Sequence, residues 1–400
     1  MAGGQSAAGE PGVRGRDLSR SLGGQREAAN LRLMKIVRIS VYQIDLPFVD
    51  GTYNFAKGKG MAIADSTVVR LDTDDGISGW GEVCPLGPNY LPSYAAGARA
   101  AIGALAPHLL GQDPTQIGAV NRLMDFELSG HEYAKSPLDV ACYDILGQAA
   151  GLPAYALLGG RQQHRLPMYR SLSQLPPDEL VALANDYREQ GYRQIQIKIG
   201  NDPDGDIERI RAIVGSRRTG EIILADANTG YRKDDALRVA AATRGLDYYY
   251  EQPCERYADN LFVRRQATQP FKLDESLKAI DDLLQAGVDN ACDVACIKIS
   301  KMGGLTKARF ARDYCAQLGI PMTVEDTWGG EIVTAALGHL AVSTPPDFLL
   351  NTTDLHNYNT VHFADNAPKN VEGHLLVADR PGLGSTPDLD VLGEPVAVYK

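Results

Sequence analysis

Lys198, Asp226, Glu251, Asp274, Lys298 and Asp326 recur along the chain at gaps of 28, 25, 23, 24 and 28 residues. Amines and carboxylates are the groups that move protons and hold metal ions. Their interval is that of a βα unit, eight of which fill about 250 residues. Each of the six also closes a short, largely apolar run: residues 195–198, 222–226, 248–251, 271–274, 295–298 and 322–326. In a βα barrel the C-terminal strand ends carry the chemistry. One such residue at a strand end is ordinary surface. Several at a matched spacing have no reason to keep a βα period unless they share a site.

Asp226, Glu251 and Asp274 would end strands three, four and five. Three hard oxygen donors with room for waters suit one Mg²⁺. Zn²⁺ would more often bring His or Cys, and none of the seven histidines ends a strand in this run. Lys198 and Lys298 would end strands two and six, which lie opposite each other in an eight-stranded barrel. A desolvated lysine beside a cation has its pKa lowered and serves as a base near neutral pH. A metal that holds a substrate carboxylate stabilises the charge left when the α-proton departs. The expected reaction class is proton abstraction α to a carboxylate. Asp326 and Trp328 follow strand seven at the same mouth. The indole face offers a ring ammonium about 0.5–2 kcal/mol.

The elements that must position these groups are legible in outline. Residues 35–46 and 66–72 alternate as strands, and a turn at residues 74–76 leads into a strand at 78–82. Between the first two, residues 52–60 form a glycine-rich flap that carries Tyr53. Helical spacing follows near 93–110, 115–129 and 135–150. Beyond residue 160, Ile- and Val-rich strands alternate with amphipathic helices, which means a parallel sheet. The expected fold class is α/β: a modified (β/α)8 barrel, (β/α)7β, with an α+β capping domain. Residues 34–160 are read as the capping domain and 161–355 as the barrel. Residues 356–400 are read as a helix-free segment with a hairpin, returning to the cap. Residues 1–33 are rich in Gly, Ala, Ser and Arg and are read as a disordered extension.

Composition narrows the partners. The apolar fraction of 44% supports a large core, and a net charge of −10 argues against nucleic acid or an anionic membrane. No run approaches the roughly 18 apolar residues of a membrane span. The six cysteines form no CxxC pair and lie mostly in apolar runs. They are expected to be buried free thiols, and the compartment a reducing one, the cytoplasm.

The chain from about residue 34 resembles the enolase superfamily in its muconate-lactonizing-enzyme-like branch. The matching motifs are Ile197-Lys198-Ile199-Gly200, Ala225-Asp226-Ala227-Asn228, Glu251-Gln252-Pro253, Asp274-Glu275-Ser276 and Ile297-Lys298-Ile299-Ser300-Lys301-Met302-Gly303-Gly304. The resemblance implies Asp226, Glu251 and Asp274 as ligands of one Mg²⁺, and Lys198 and Lys298 as acid and base. The family often has Lys-x-Lys on strand two, where this chain has Gln196. Within the branch, residues 84–92, 325–330 and 390–396 look like the cis-3-hydroxy-L-proline dehydratases. That implies a cyclic amino acid as small-molecule substrate, loss of the 3-hydroxyl to give Δ1-pyrroline-2-carboxylate, and a homo-oligomer. Proline-betaine or hydroxyproline-betaine 2-epimerases, or racemases of a related amino acid, need the same two lysines and stand as the alternative. Expected substrate contacts are Trp328, Asp326, Tyr53, Gln196 and Asn228.

Overall fold

The computed structural model describes residues 3–4 and 33–400, and Met34–Lys400 form one compact unit. The extension expected over residues 1–33 lies outside the described residues apart from 3, 4 and 33.

The N-terminal domain opens with β1 (Ile36–Pro47), a small hairpin of β2 (Tyr53–Asn54) and β3 (Gly60–Met61), β4 (Ile63–Thr73) and β5 (Ser78–Val83). β1, β4 and β5 pair antiparallel, and three helices follow: α1 (Ala95–Leu109), α2 (Ile117–Glu127) and α3 (Glu132–Ala150). Gly79 and Gly81 let β5 lie flush on α3. A Cβ at Gly81 would stand 1.8 Å from the Pro137 carbonyl oxygen, and one at Gly79 2.3 Å from that of Ala141. The expected flap is thus a hairpin, with Phe55 buried between its strands.

A short helix α4 (Ala154–Leu157) and strand β6 (Leu166–Pro167) lead into the barrel. Its elements are β7 (Tyr169–Leu172), α5 (Pro177–Glu189), β8 (Gln194–Lys198), α6 (Pro203–Gly215), β9 (Ile222–Asp226), α7 (Lys233–Ala242), β10 (Tyr249–Glu251), α8 (Tyr257–Arg264), β11 (Phe271–Leu273), α9 (Ile280–Asp289), β12 (Val294–Lys298), α10 (Ile299–Met302), α11 (Leu305–Leu318), β13 (Met322–Glu325), α12 (Glu331–Val342) and β14 (Leu349–Asn351). The strands pair in chain order, all parallel. The ring closes where Tyr169 N donates to the Thr352 carbonyl at 3.0 Å and Thr352 N to that of Pro167 at 2.9 Å. Eight strands with seven helical crossovers among the described residues make a (β/α)7β barrel. Helix starts follow local chemistry. Pro177 opens α5 ahead of Asp178 and Glu179, and the Asp202 side chain caps α6 by accepting from Gly205 N at 3.1 Å.

After the barrel come β15 (Ala364–Asp365), the hairpin of β16 (Lys369–Val371) and β17 (His374–Leu376), β18 (Thr386–Pro387), α13 (Leu389–Leu392) and β19 (Ala397–Tyr399). β19 pairs antiparallel with β1, placing Tyr399 opposite Ile39. The tail is not helix-free: α13 is a single turn, capped by Asp388 and ended at Gly393, too short to show a period in the sequence. All six cysteines are buried and free. No helix among the described residues is long and apolar enough to cross a membrane.

Candidate active site

A pocket lies at the barrel mouth beneath the N-terminal loops. Nine of the ten residues expected from the sequence line it: Lys198, Lys298, Asp226, Asp274, Tyr53, Gln196, Asn228, Asp326 and Trp328. Glu251 does not; its carboxylate is 1% exposed and is bonded by Gln196 and Lys272.

Strand register brings these groups together. Lys198 sits opposite Asp226 across β8 and β9, Asp226 opposite Glu251, Glu251 opposite Lys272, and Lys298 opposite Glu325. Paired residues of parallel strands share a face, and Asp274, two residues after Lys272, shares it too. β8 and β12 are four strands apart in a ring of eight, so Lys198 and Lys298 stand on opposing walls.

Five buried carboxylates, Asp226, Glu251, Asp274, Glu275 and Glu325, meet four buried lysines here. Lys198 Nζ lies 2.5 Å from Asp226 Oδ2, and Lys272 Nζ 2.9 Å from Glu251 Oε1. Lys298 and Lys301 each approach an Asp274 oxygen at 2.7 Å. Burial acts to lower Lys198 and Lys298, but the carboxylates, led by Asp226 for Lys198 and by Asp274 for Lys298, outweigh it. Both ammoniums are held well above the ordinary lysine range. Ion pairs at such distances outweigh the desolvation of the two ammoniums; the lowering expected beside a cation concerns the metal-bound site. Burial pushes Glu251 up to about 7 despite Lys272, and Glu275 up to about 8 with help from Asp274.

The donor set fits a hard divalent cation. Oxygens of Glu251 and Asp274 and the sulfur of Cys296 lie within 4.8 Å of one another. The Cys296 thiol donates to Glu325 Oε1 at 2.8 Å, and burial holds its pKa well above the ordinary value; a soft sulfur donor suits Mg²⁺ less than the carboxylates around it. Asp226 stands beside this group, engaged by Lys198 and by the backbone and side chain of Asn228. Glu275 Oε2 and Asn228 Oδ1 are buried without a hydrogen-bond partner. Carboxylates in excess of lysines, with orphaned oxygen acceptors among them, are what Mg²⁺ prefers.

The expected substrate contacts divide. The Tyr53 hydroxyl meets Ser171 Oγ at 2.6 Å at the rim. The Asp326 carboxylate is consumed by the Ser300 and Thr327 hydroxyls and backbone amides, bracing the loop after β13. The Asn228 amide bonds Asp226 and Glu275. The Trp328 indole stacks on Phe48 with centroids 4.2 Å apart and donates its N–H to Asn359 Oδ1 at 2.9 Å. Residues the sequence reading left without a role also reach the site. Tyr90 binds both Lys298 and Asp274, and Glu325 accepts from Tyr169 and Cys296. Tyr90 lies inside the stretch 84–92 whose resemblance was noted, which was the available signal.

Residues 179–391 match the enolase C-terminal domain-like family, and residues 58–159 match the mandelate racemase / muconate lactonizing enzyme N-terminal domain. The chain belongs to the enolase superfamily. Cis-3-hydroxy-L-proline dehydratase of Roseibium aggregatum is 49% identical over 366 residues, 92% of this chain and 100% of that one. A mandelate racemase/muconate lactonizing enzyme of Roseovarius nubinhibens superposes with a TM-score of 0.89 at 47% identity, over 92% of this chain and 98% of that one. A second protein of this type from the same organism, solved in complex with magnesium, gives 0.89 at 38% identity, over 92% and 100%. Like them, this enolase-superfamily enzyme joins an antiparallel N-terminal sheet to a parallel barrel.

Proposed function

We propose that this enzyme is a hydro-lyase that dehydrates cis-3-hydroxy-L-proline to Δ1-pyrroline-2-carboxylate. The observation that carries the reading is the opposition of Lys198 and Lys298 across a pocket floored by carboxylates. In this substrate the hydroxyl and the carboxylate share one ring face, so the α-hydrogen lies on the other. Anti elimination then needs a base on one face and an acid on the other, which two opposed amines supply. The 49% identity to the Roseibium dehydratase supports the same substrate.

Asp226, Glu251 and Asp274 would hold one Mg²⁺, as the magnesium complex of the Roseovarius protein supports. When bound, Mg²⁺ supplies positive charge to the substrate carboxylate as the α-proton leaves and competes with the lysines for their carboxylate partners. Lys272 and Gln196 fix Glu251, and Asn228 fixes Asp226. Phe55, Leu86 and Trp328 wall the pocket with apolar surface and exclude water from the reacting carbon.

The test is incubation with cis-3-hydroxy-L-proline, L-proline and proline betaine in D₂O with Mg²⁺. Pyrroline product that EDTA stops and Mg²⁺ restores is the expected result. Deuterium uptake with inversion on proline betaine, and no pyrroline, would replace the lyase with an epimerase. No change in any sample would defeat both.

A further inference from the structure

Each opposed lysine has a tyrosine beside it, and the two tyrosines are not equivalent. Tyr90 lies on the loop between β5 and α1, edge-on to Phe55 of the flap hairpin with centroids 5.9 Å apart. Lys298 Nζ donates to the Tyr90 hydroxyl at 2.6 Å, and that hydroxyl donates to Asp274 Oδ2 at 2.9 Å. Asp274 Oδ2 also accepts from Lys298 at 2.7 Å, so Tyr90 can turn its proton elsewhere without leaving that oxygen bare. On the opposite wall the Tyr53 ring lies 6.0 Å from Lys198 Nζ. The Ser171 hydroxyl gives its proton to the Gln196 carbonyl at 2.7 Å, so Tyr53 donates to Ser171. That chain ends on an amide oxygen, which has no proton to return. A proton leaving Tyr90 can be replaced from an ammonium already bonded to it.

We propose that Tyr90 is the catalytic acid of the dehydration, protonating the departing 3-hydroxyl and refilled by Lys298, with Lys198 as the base for the α-proton. This rests on the dehydratase reading above. Lys198 enters the turn as the free amine, its ammonium proton having passed to solvent once Asp226 turns from it to a bound cation. It takes the α-proton, and the pair left on Cα forms the C2=C3 bond. The C3–O bond breaks with its electron pair on oxygen. That oxygen takes the Tyr90 proton and leaves as water, and the Lys298 ammonium passes a proton to the Tyr90 oxygen. The turn ends with Lys198 as ammonium and Lys298 as amine. Solvent returns the proton from one side to the other, and the ring enamine tautomerises to the pyrroline. No oxidant or further reactant enters.

The experiment compares wild type and Tyr90→Phe, both with Mg²⁺, on cis-3-hydroxy-L-proline in D₂O. Pyrroline formation and deuterium at Cα of recovered substrate are both read. A positioned acid accounts for about 100-fold or more, so pyrroline formation by the variant should fall by at least that factor. Its recovered substrate should gain deuterium, because Lys198 still removes and returns the α-proton. Loss of pyrroline without deuterium uptake would overturn the assignment and make Tyr90 a positioning residue. Pyrroline formation within a few-fold of wild type would also overturn it. If wild type itself forms no pyrroline, the dehydratase reading falls and this inference with it. The wild-type arm thus separates the two failures.

Discussion

Gln196 donates its amide to Glu251 Oε2 at 2.9 Å and accepts from Ser171 Oγ at 2.7 Å. Both ends are therefore spent inside the protein. Gln196, which also lines the pocket, is a strut that runs from Tyr53 of the flap hairpin, through Ser171, to Glu251. Gln196 is a neutral donor at this position, and Lys272 carries the charge opposite Glu251.

The strut predicts how Gln196→Leu fails. Removing a partner that orients a metal-ligating carboxylate typically costs 10–100-fold in metal affinity. The Mg²⁺ concentration for half-maximal activity should rise about 10-fold, with little change in KM at saturating metal. A Mg²⁺ titration of initial rates reads it. A raised KM with an unaltered metal requirement would return Gln196 to the substrate.

Lys198→Ala and Lys298→Ala should each lower kcat by about 10³-fold. Arginine at either position should not rescue, since a guanidinium does not release its proton in proteins. Neither change should unfold the chain. Asp226 keeps its bonds to Asn228, and Asp274 keeps Lys301. Pyrroline formation and thermal melting on the same samples check both halves. Near-normal turnover in either variant would refute the two-sided mechanism.

How much of this was legible depended on whether chain distance carried it. The strand-end residues were readable because a barrel repeat converts spacing into position, which put Lys198, Asp226, Asp274 and Lys298 on one pocket. Tyr90 was not, since it reaches Asp274 from 184 residues away on a loop with no period. Lys272 sits inside its strand and Glu325 ends β13, and only register shows that both face inward. Trp328 was placed correctly at the mouth, yet the partner that takes its N–H, Asn359, comes from beyond the last barrel strand. The order of charges is legible in a sequence, but the 2.5 Å ion pair that holds the Lys198 ammonium is not.

Trp328 tests that last group. It is 4% exposed, between Phe48, Tyr53 and Tyr358. Trp328→Phe keeps most of the stacking but leaves Asn359 Oδ1 without its donor, a loss of about 1–3 kcal/mol. Trp328→Ala opens a cavity as well and should cost about 3–5 kcal/mol. If the indole also carries the substrate ammonium, KM should rise much more for alanine than for phenylalanine. Denaturant melts and KM values for both variants read these effects. Equal KM effects would leave Trp328 as packing alone.

His339 sets an acid limit on stability. It lies buried on α12, where Nδ1 accepts from Tyr155 N at 3.2 Å and Nε2 faces the Leu383 carbonyl at 3.0 Å. The second contact needs a proton on Nε2 and the first forbids one on Nδ1, so the native ring is neutral. Burial lowers its pKa from 6.5 to about 4, beyond what the Leu383 contact restores. Between those values the unfolded chain binds more protons than the native one, so stability rises with pH there. The His339 contribution is complete above pH 6.5, falls away as the pH drops toward 4, and is constant below that. At about 1.4 kcal/mol per unit the swing is about 3 kcal/mol. His339→Gln removes the titrating group and leaves the others in place. The stability gap between wild type and this variant, measured by guanidinium unfolding, should therefore narrow by about 3 kcal/mol from pH 7 to pH 4. A gap that stays constant across that range would show that the native imidazole titrates no lower than the unfolded one.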